Sequence, residues 1–289
     1  MACALHLNLD DAWTRDALPF ETRDLRQWGP QLRFSAPARI VEAFDAELRD
    51  DLAPFLLFGS GDFHHLSALW ARRAKAATVI VSFDNHPDWD VRPPKWCCGS
   101  WVNRALELPH IRLVSVWGCG SFETWWPRQV FGNRRAEREG RLEVHSWADN
   151  RPARERKRRG AILKTNWREH FSHFAAALNR ANVYVTIDLD CLQSGDAVTN
   201  WESGNFAIGD LCSALEELRR TGNAIVAGDI CGAFSRPAYA RWKQRFASEM
   251  DHPNLPAADP AERERINRAA FRQLWPALTD GNQSDTGAD

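Results

Sequence analysis

A chain of 289 residues can hold one large α/β domain or two small ones, and 44% hydrophobic with 26% charged residues is the mixture of a soluble globular protein, which excludes a largely disordered chain. A formal net charge of −1 supplies no global field for steering nucleic acid or an anionic membrane, so a small molecule or peptide is the expected partner. The opening MACALHLNLDDAW lacks a basic-then-apolar leader and no apolar run reaches the roughly 18 residues of a membrane span, so the expected location is the cytoplasm.

Taken in chain order, short β-rich runs fall at 4–9, 55–58, 78–83, 112–117, 141–144, 183–188 and 223–228. Helical spacing of apolar residues lies between them at 38–50, 65–76 and 209–220. The alternation predicts a three-layer α/β/α fold with a mainly parallel sheet, and runs that are apolar throughout suit strands covered on both faces. No repeat or internal boundary interrupts the pattern, so 1–278 reads as one domain and the polar segment 279–289 as a disordered tail. The basic run RPARERKRRG at 151–160 reads as a solvated loop or helix face, with a docking site for an acidic peptide as the sharper alternative. Seven cysteines without a CxxC array imply reduced thiols, and most of the 14 tryptophans are expected in packing.

Chemistry concentrates where three of these strands end. VIVSFDNHPDWD (79–90) delivers Asp84, His86 and Asp88 at every second position, which puts all three on one side if the chain stays extended. VYVTIDLDCL (183–192) ends in Asp188 and Asp190, and LLFGSGDFHHLS (56–67) brings His64 and His65 to the start of a helix. Carboxylates packed this closely repel one another unless a cation neutralises them. The oxygen-rich, imidazole-containing set suits Mn²⁺ better than a structural zinc, which favours thiolates. In parallel sheets the carboxyl ends of the strands surround the functional crevice, so these runs belong together there.

The succession GSGDFHH, DNHPD and TIDLD resembles the arginase/agmatinase superfamily of ureohydrolases, over roughly residues 55–235. The short GSGDFHH form and the late DICG segment resemble an outlying branch that includes peptide arginases. The resemblance implies an arginase/deacetylase-like fold and two Mn²⁺ ions per chain. One would be held by His64, Asp84, Asp88 and Asp188, the other by His86, Asp84, Asp188 and Asp190, with Asp84 and Asp188 bridging. His65 is the alternative to His64. Asp62 is expected to orient the turn and Asp90 to stand behind the ligands. The implied activity is cleavage of a guanidino C–N bond, in a small guanidino compound or in arginine within a peptide, with release of urea. A zinc-type deacetylase of the same fold, or a non-catalytic metal-braced peptide-binding protein, is the competing reading, and the oligomeric state stays open.

Two departures bear on catalysis. Where arginases carry a His-Gly proton shuttle, this chain has Cys98-Gly99 in KWCCGSW, leaving Cys98 as candidate proton carrier beside Asp190, or as packing with Cys97 at a helix start. Where they carry a glutamate for the guanidinium, this chain has Gly232 in GDICGAFSRP. Either Asp229 or Glu202 would replace it, with Asn200 and Trp201 of TNWESGNF forming a polar and aromatic rim.

Overall fold

The computed structural model describes residues 3–14, 18–48, 52–255 and 258–280. Nine strands form one sheet: β1 Ala4–Asn8, β2 Thr22–Asp24, β3 Phe55–Phe58, β4 Val79–Phe83, β5 Leu113–Cys119, β6 Leu142–Trp147, β7 Ala161–Ile162, β8 Asn182–Asp188 and β9 Ala224–Cys231. Their order is β2-β1-β3-β9-β8-β4-β5-β6-β7, and every pairing between them is parallel.

Alternation along the central strands builds the two cores. Val79, Val81 and Phe83 of β4 and Val183, Val185 and Ile187 of β8 face helices Trp167–Ala177, Ile208–Arg220 and Pro260–Thr279. Ile80 and Tyr184 face the opposite layer of helices Ala38–Leu48, Ser67–Arg73 and Trp101–Leu106. Both faces are covered, which is why these strands read as unbroken apolar runs. Nine of the tryptophans are buried in or beside these cores, as expected of packing residues. No helix among the described residues is long and apolar enough to cross a membrane.

All seven strands expected from the sequence form. The two that sequence reading missed, β2 and β7, are edge strands of three and two residues, too short to show a period. The basic run folds as one exposed helical turn, Ala153–Arg156, and then leads into β7. The last helix runs through Thr279 with Asp280 at its C-cap, and the rest of the expected tail, 281–289, lies outside the described residues.

The order of the sheet positions the chemistry. β3, β9, β8 and β4 lie side by side at its centre, although β3 and β4 come early in the chain and β8 and β9 late. Segments separated by more than a hundred residues therefore end at one stretch of the carboxyl edge.

Candidate metal centre

Just past β4, Asp84 still pairs with the sheet through its backbone, its N–H donating to Trp117 O at 3.0 Å. Its Oδ1 then accepts the His86 N–H at 2.7 Å, which turns the chain at once. Asp88 follows with φ of +45°, a left-handed conformation that aspartate tolerates better than most residues. The chain is thus not extended after the strand, and the expectation of three side chains on one side is corrected. The turn instead sends Asp88 and His86 into two different groups with Asp84 between them.

The first group is His64, Asp84 and Asp88. His64 Nδ1 lies 3.1 Å from Asp84 Oδ2, 3.2 Å from Asp88 Oδ2 and 3.5 Å from Asp188 Oδ2. The second is Asp84, His86 and Asp190. His86 Nδ1 lies 2.9 Å from Asp190 Oδ2 and 3.7 Å from Asp84 Oδ1. Asp84 thus offers one oxygen to each group. All four aspartates and His64 are buried.

A hydrogen-bond chain fixes the His64 ring. Thr186 Oγ1 donates to Asp229 Oδ1 at 2.7 Å, so at its 2.9 Å contact with His64 Nε2 the hydroxyl accepts. Nε2 therefore carries a proton, and Nδ1 faces three carboxylates, donating to them when protonated and free to ligate a cation when not. Apart from these ion-pair contacts, His64 Nδ1 and Asp84 Oδ2 are buried with no other hydrogen-bond partner. Two ligand atoms each about 2.0–2.2 Å from one cation, and roughly at right angles, stand about 3 Å apart. These residues fit a divalent ion better than they fit one another.

Electrostatics agree. Burial pushes the Asp88 and Asp188 carboxyls well above the usual range, reinforced by the charges of Asp84 and Asp190 respectively. Burial also raises Asp190, against the pull of His86. His64 and His86 would be lowered by burial, yet the carboxylates around them raise both well above the ordinary value, and the two histidines in turn hold Asp84 low despite its burial. Without a cation these carboxylates compete for protons; with divalent ions all can ionise.

Neighbouring side chains hold the ligands. Trp101 Nε1 donates to Asp88 Oδ2 at 2.7 Å, Asn85 N–H donates to Asp190 Oδ1 at 3.1 Å, and Asp190 N–H donates to Asp188 Oδ1 at 3.1 Å. His65 belongs to neither group; it is fully buried, and burial lowers its pKa to about 3. Asp62 is taken up by Arg33 Nε at 2.6 Å, His252 Nε2 at 2.9 Å and Trp201 Nε1 at 3.2 Å, which anchors the turn as expected. Asp90 does not stand behind the ligands: its carboxylate pairs with Arg92.

A cavity of about 50 Å³ lies among Asp84, His86, Asp88, Asp188 and Asp190, and Cys98, Trp201 and Glu202 also line it. Contact with Cys97 and burial push the Cys98 thiol well above its ordinary value, so it is neutral at pH 7. Glu202 reaches the mouth, its Oε2 3.6 Å from His86 Nε2. The Trp201 ring stands 5.2 Å from His86 and stacks on His252 at 4.2 Å. Two rim expectations need correction. Asp229 is sealed behind His64 by Tyr184 and Thr186, where it can orient the ligand but cannot reach the cavity. Asn200 spends both ends of its amide on the Ser235 backbone, at 3.0 Å each, and braces the loop.

Sequence reading missed Phe122, Glu123 and Asp251, which line the same cavity. Phe122 and Glu123 follow the carboxyl end of β5, the position rule that singled out the other acids. Asp251 ends helix Trp242–Asp251, where no motif marks it.

No family profile matches the chain. An uncharacterised protein of Thermotoga maritima is 31% identical over 175 residues, covering 60% of this chain and 55% of that protein, so the match spans little more than half of the relative. Among solved structures, the agmatine ureohydrolase of Thermoplasma volcanium superposes with a TM-score of 0.53 at 15% identity, over 96% of this chain and 90% of that one. The arginase of Medicago truncatula gives a TM-score of 0.52 at 16% identity, over 96% and 86%. That of Bacillus subtilis gives 0.54 at 14%, over 96% and 98%. The fold is that of the ureohydrolases. At these identities the likeness concerns the backbone, and the chemistry rests on the side chains above.

Proposed function

We propose that this ureohydrolase-fold chain is a binuclear metal-dependent hydrolase that adds water to a guanidino carbon and breaks a C–N bond, releasing urea and an amine. The substrate is a small guanidino compound or arginine within a peptide. The observation that carries this reading is the pair of groups, buried His64/Asp84/Asp88 and Asp84/His86/Asp190 with only His86 partly exposed, sharing Asp84 and flanked by Asp188.

His64, Asp84, Asp88 and Asp188 would hold one divalent ion, and His86, Asp84, Asp188 and Asp190 the other. Oxygen-rich donors favour Mn²⁺ over a thiolate-seeking metal. Bound there, two such ions supply Lewis acidity and lower the pKa of water enough to make a nucleophile at neutral pH. The chain's residues do the rest. Thr186 and Asp229 keep a proton on His64 Nε2, Trp101 fixes Asp88, and the Trp201 ring packs edge-on beside His86. Glu202, 3.6 Å from His86 Nε2 and held below the usual carboxylate range chiefly by that ring, stands ionised at the mouth of the cavity, where a protonated leaving amine can meet it. The neutral Cys98 thiol lines the cavity as a proton donor rather than a base.

The test is incubation of Mn²⁺-loaded protein with free arginine, agmatine and an arginine-containing peptide, measuring urea from each. Urea from one of them is expected, and it should be absent with the metal removed. No urea from any guanidino compound would move the reaction to amide or amidine hydrolysis.

A further inference from the structure

Large apolar side chains left on the outside of a folded chain mark surfaces that meet something else. Three of the four most exposed among the described residues, Trp242 at 74%, Phe246 at 61% and Met250 at 74%, lie on one helix, Trp242–Asp251. Spaced four residues apart, they form a single stripe. Gln244 and Ser248 are the buried residues of this helix, tied down by the bond from Gln244 Nε2 to Arg33 O and by Ser248 Oγ at 2.7 Å from the Tyr239 hydroxyl. At 3.6 residues per turn Phe246 stands opposite that buried line, with Trp242 and Met250 on either side of it. The stripe therefore points straight away from the core.

The apolar pattern is symmetric about Phe246, whereas the charge along the helix is not. Arg241, Lys243 and Arg245 stand before Phe246, and Glu249 and Asp251 after it. Arg245 and Glu249 pair within the helix at 2.7 Å, whereas Lys243 makes no ion pair among the described residues and lies over the Trp242 ring at 5.5 Å. A second copy of the helix laid antiparallel on the first, Phe246 on Phe246, sets each Trp242 against the partner's Met250. The same overlay levels each Lys243 with the partner's Glu249, so that the basic half of one helix meets the acidic half of the other. A parallel copy would set like charges side by side along the whole length. A stable dimer buries about 800 Å² per partner, and three side chains of this size supply about half of that. Leu255, 41% exposed, follows the helix, and Phe122, 59% exposed, lines the cavity that Asp251 also lines.

We propose that helix Trp242–Asp251 is a self-association surface, packing antiparallel on a second copy of this chain about a two-fold axis beside Phe246. Its end at Asp251 lines the metal cavity, so the contact lies at the rim of each cavity. The pairing does not depend on the reaction assigned above.

Sedimentation equilibrium of the full chain reads the state, and cysteine cross-linking reads the geometry. The wild type should sediment as a dimer and Phe246→Glu as a monomer, with circular dichroism and urea unfolding of the two alike. Lys243→Glu should loosen the dimer by at least about tenfold, and adding Glu249→Lys should restore it. On mild oxidation Phe246→Cys should cross-link well above the background set by the seven native thiols. Trp242→Cys and Met250→Cys should each fail alone and cross-link when mixed. A wild type that stays monomeric at its highest soluble concentration, or a dimer that Phe246→Glu leaves intact, overturns the surface. Cross-linking of Trp242→Cys to itself but not to Met250→Cys overturns the antiparallel arrangement.

Discussion

Gly232 lies so close to Asp188 that any side chain at 232 would occupy the space of the Asp188 Oδ1 oxygen. Gly61 presses from another direction, where a Cβ would stand 2.6 Å from Asp188 Oδ2. The carboxylate proposed to bridge two ions is thus held in a cradle of bare backbone.

Gly232→Ala should therefore weaken manganese binding by at least about tenfold, and the positive φ adds a backbone cost of about 1–3 kcal/mol. Chelator competition reads the first effect and urea unfolding the second. Wild-type affinity in this variant would mean that Asp188 is not a ligand.

Thr186→Val removes the hydroxyl between His64 Nε2 and Asp229 while keeping the shape of the side chain. The His64 tautomer is then no longer fixed, and manganese affinity should fall about 10–100-fold, the usual scale for a partner behind a ligand. Competition with a chelator of known affinity measures it. An unchanged dissociation constant would show that the chain Asp229–Thr186–His64 does not orient the ligand.

Much of this was legible in sequence because apolar runs and acids at strand ends are local signals. The seven long strands, the two runs DNHPD and TIDLD, and His64 in GSGDFHH needed no tertiary information to be noticed. What the sequence concealed depends on the path of the chain in space. The Asp84 turn that separates Asp88 from His86 is made by a side chain capping its own backbone, and the two-residue spacing looked like a continuing strand. Asp229 looked like a pocket residue because β9 ends near the cavity, yet Tyr184 and Thr186 on the adjacent strand seal it. Asp251 reaches the mouth through packing of a late helix that carries no motif.

His65 gives the pH prediction. Its folded pKa of about 3 lies below the ordinary 6.5, because burial disfavours the charged ring, and both its nitrogens lack side-chain partners. A depressed folded value means that the unfolded chain takes up a proton first as pH falls. Stability present above pH 6.5 is thus lost progressively down towards pH 3. His65→Leu removes that proton uptake. Between pH 6.5 and 5.5 the wild type should lose about 1 kcal/mol more than the variant. Urea unfolding of the Mn²⁺-loaded proteins at both pH values checks this, and parallel losses would show that His65 is not buried neutral.

The most direct test of the metal centre is the manganese content per chain after loading and desalting. Wild-type protein should carry close to two ions, Asp190→Asn close to one, and Asp188→Ala essentially none, because Asp188 and Asp84 are the carboxylates proposed to serve both ions. A saturated wild type holding less than one ion per chain, or an Asp188→Ala variant that keeps two, would contradict the binuclear site.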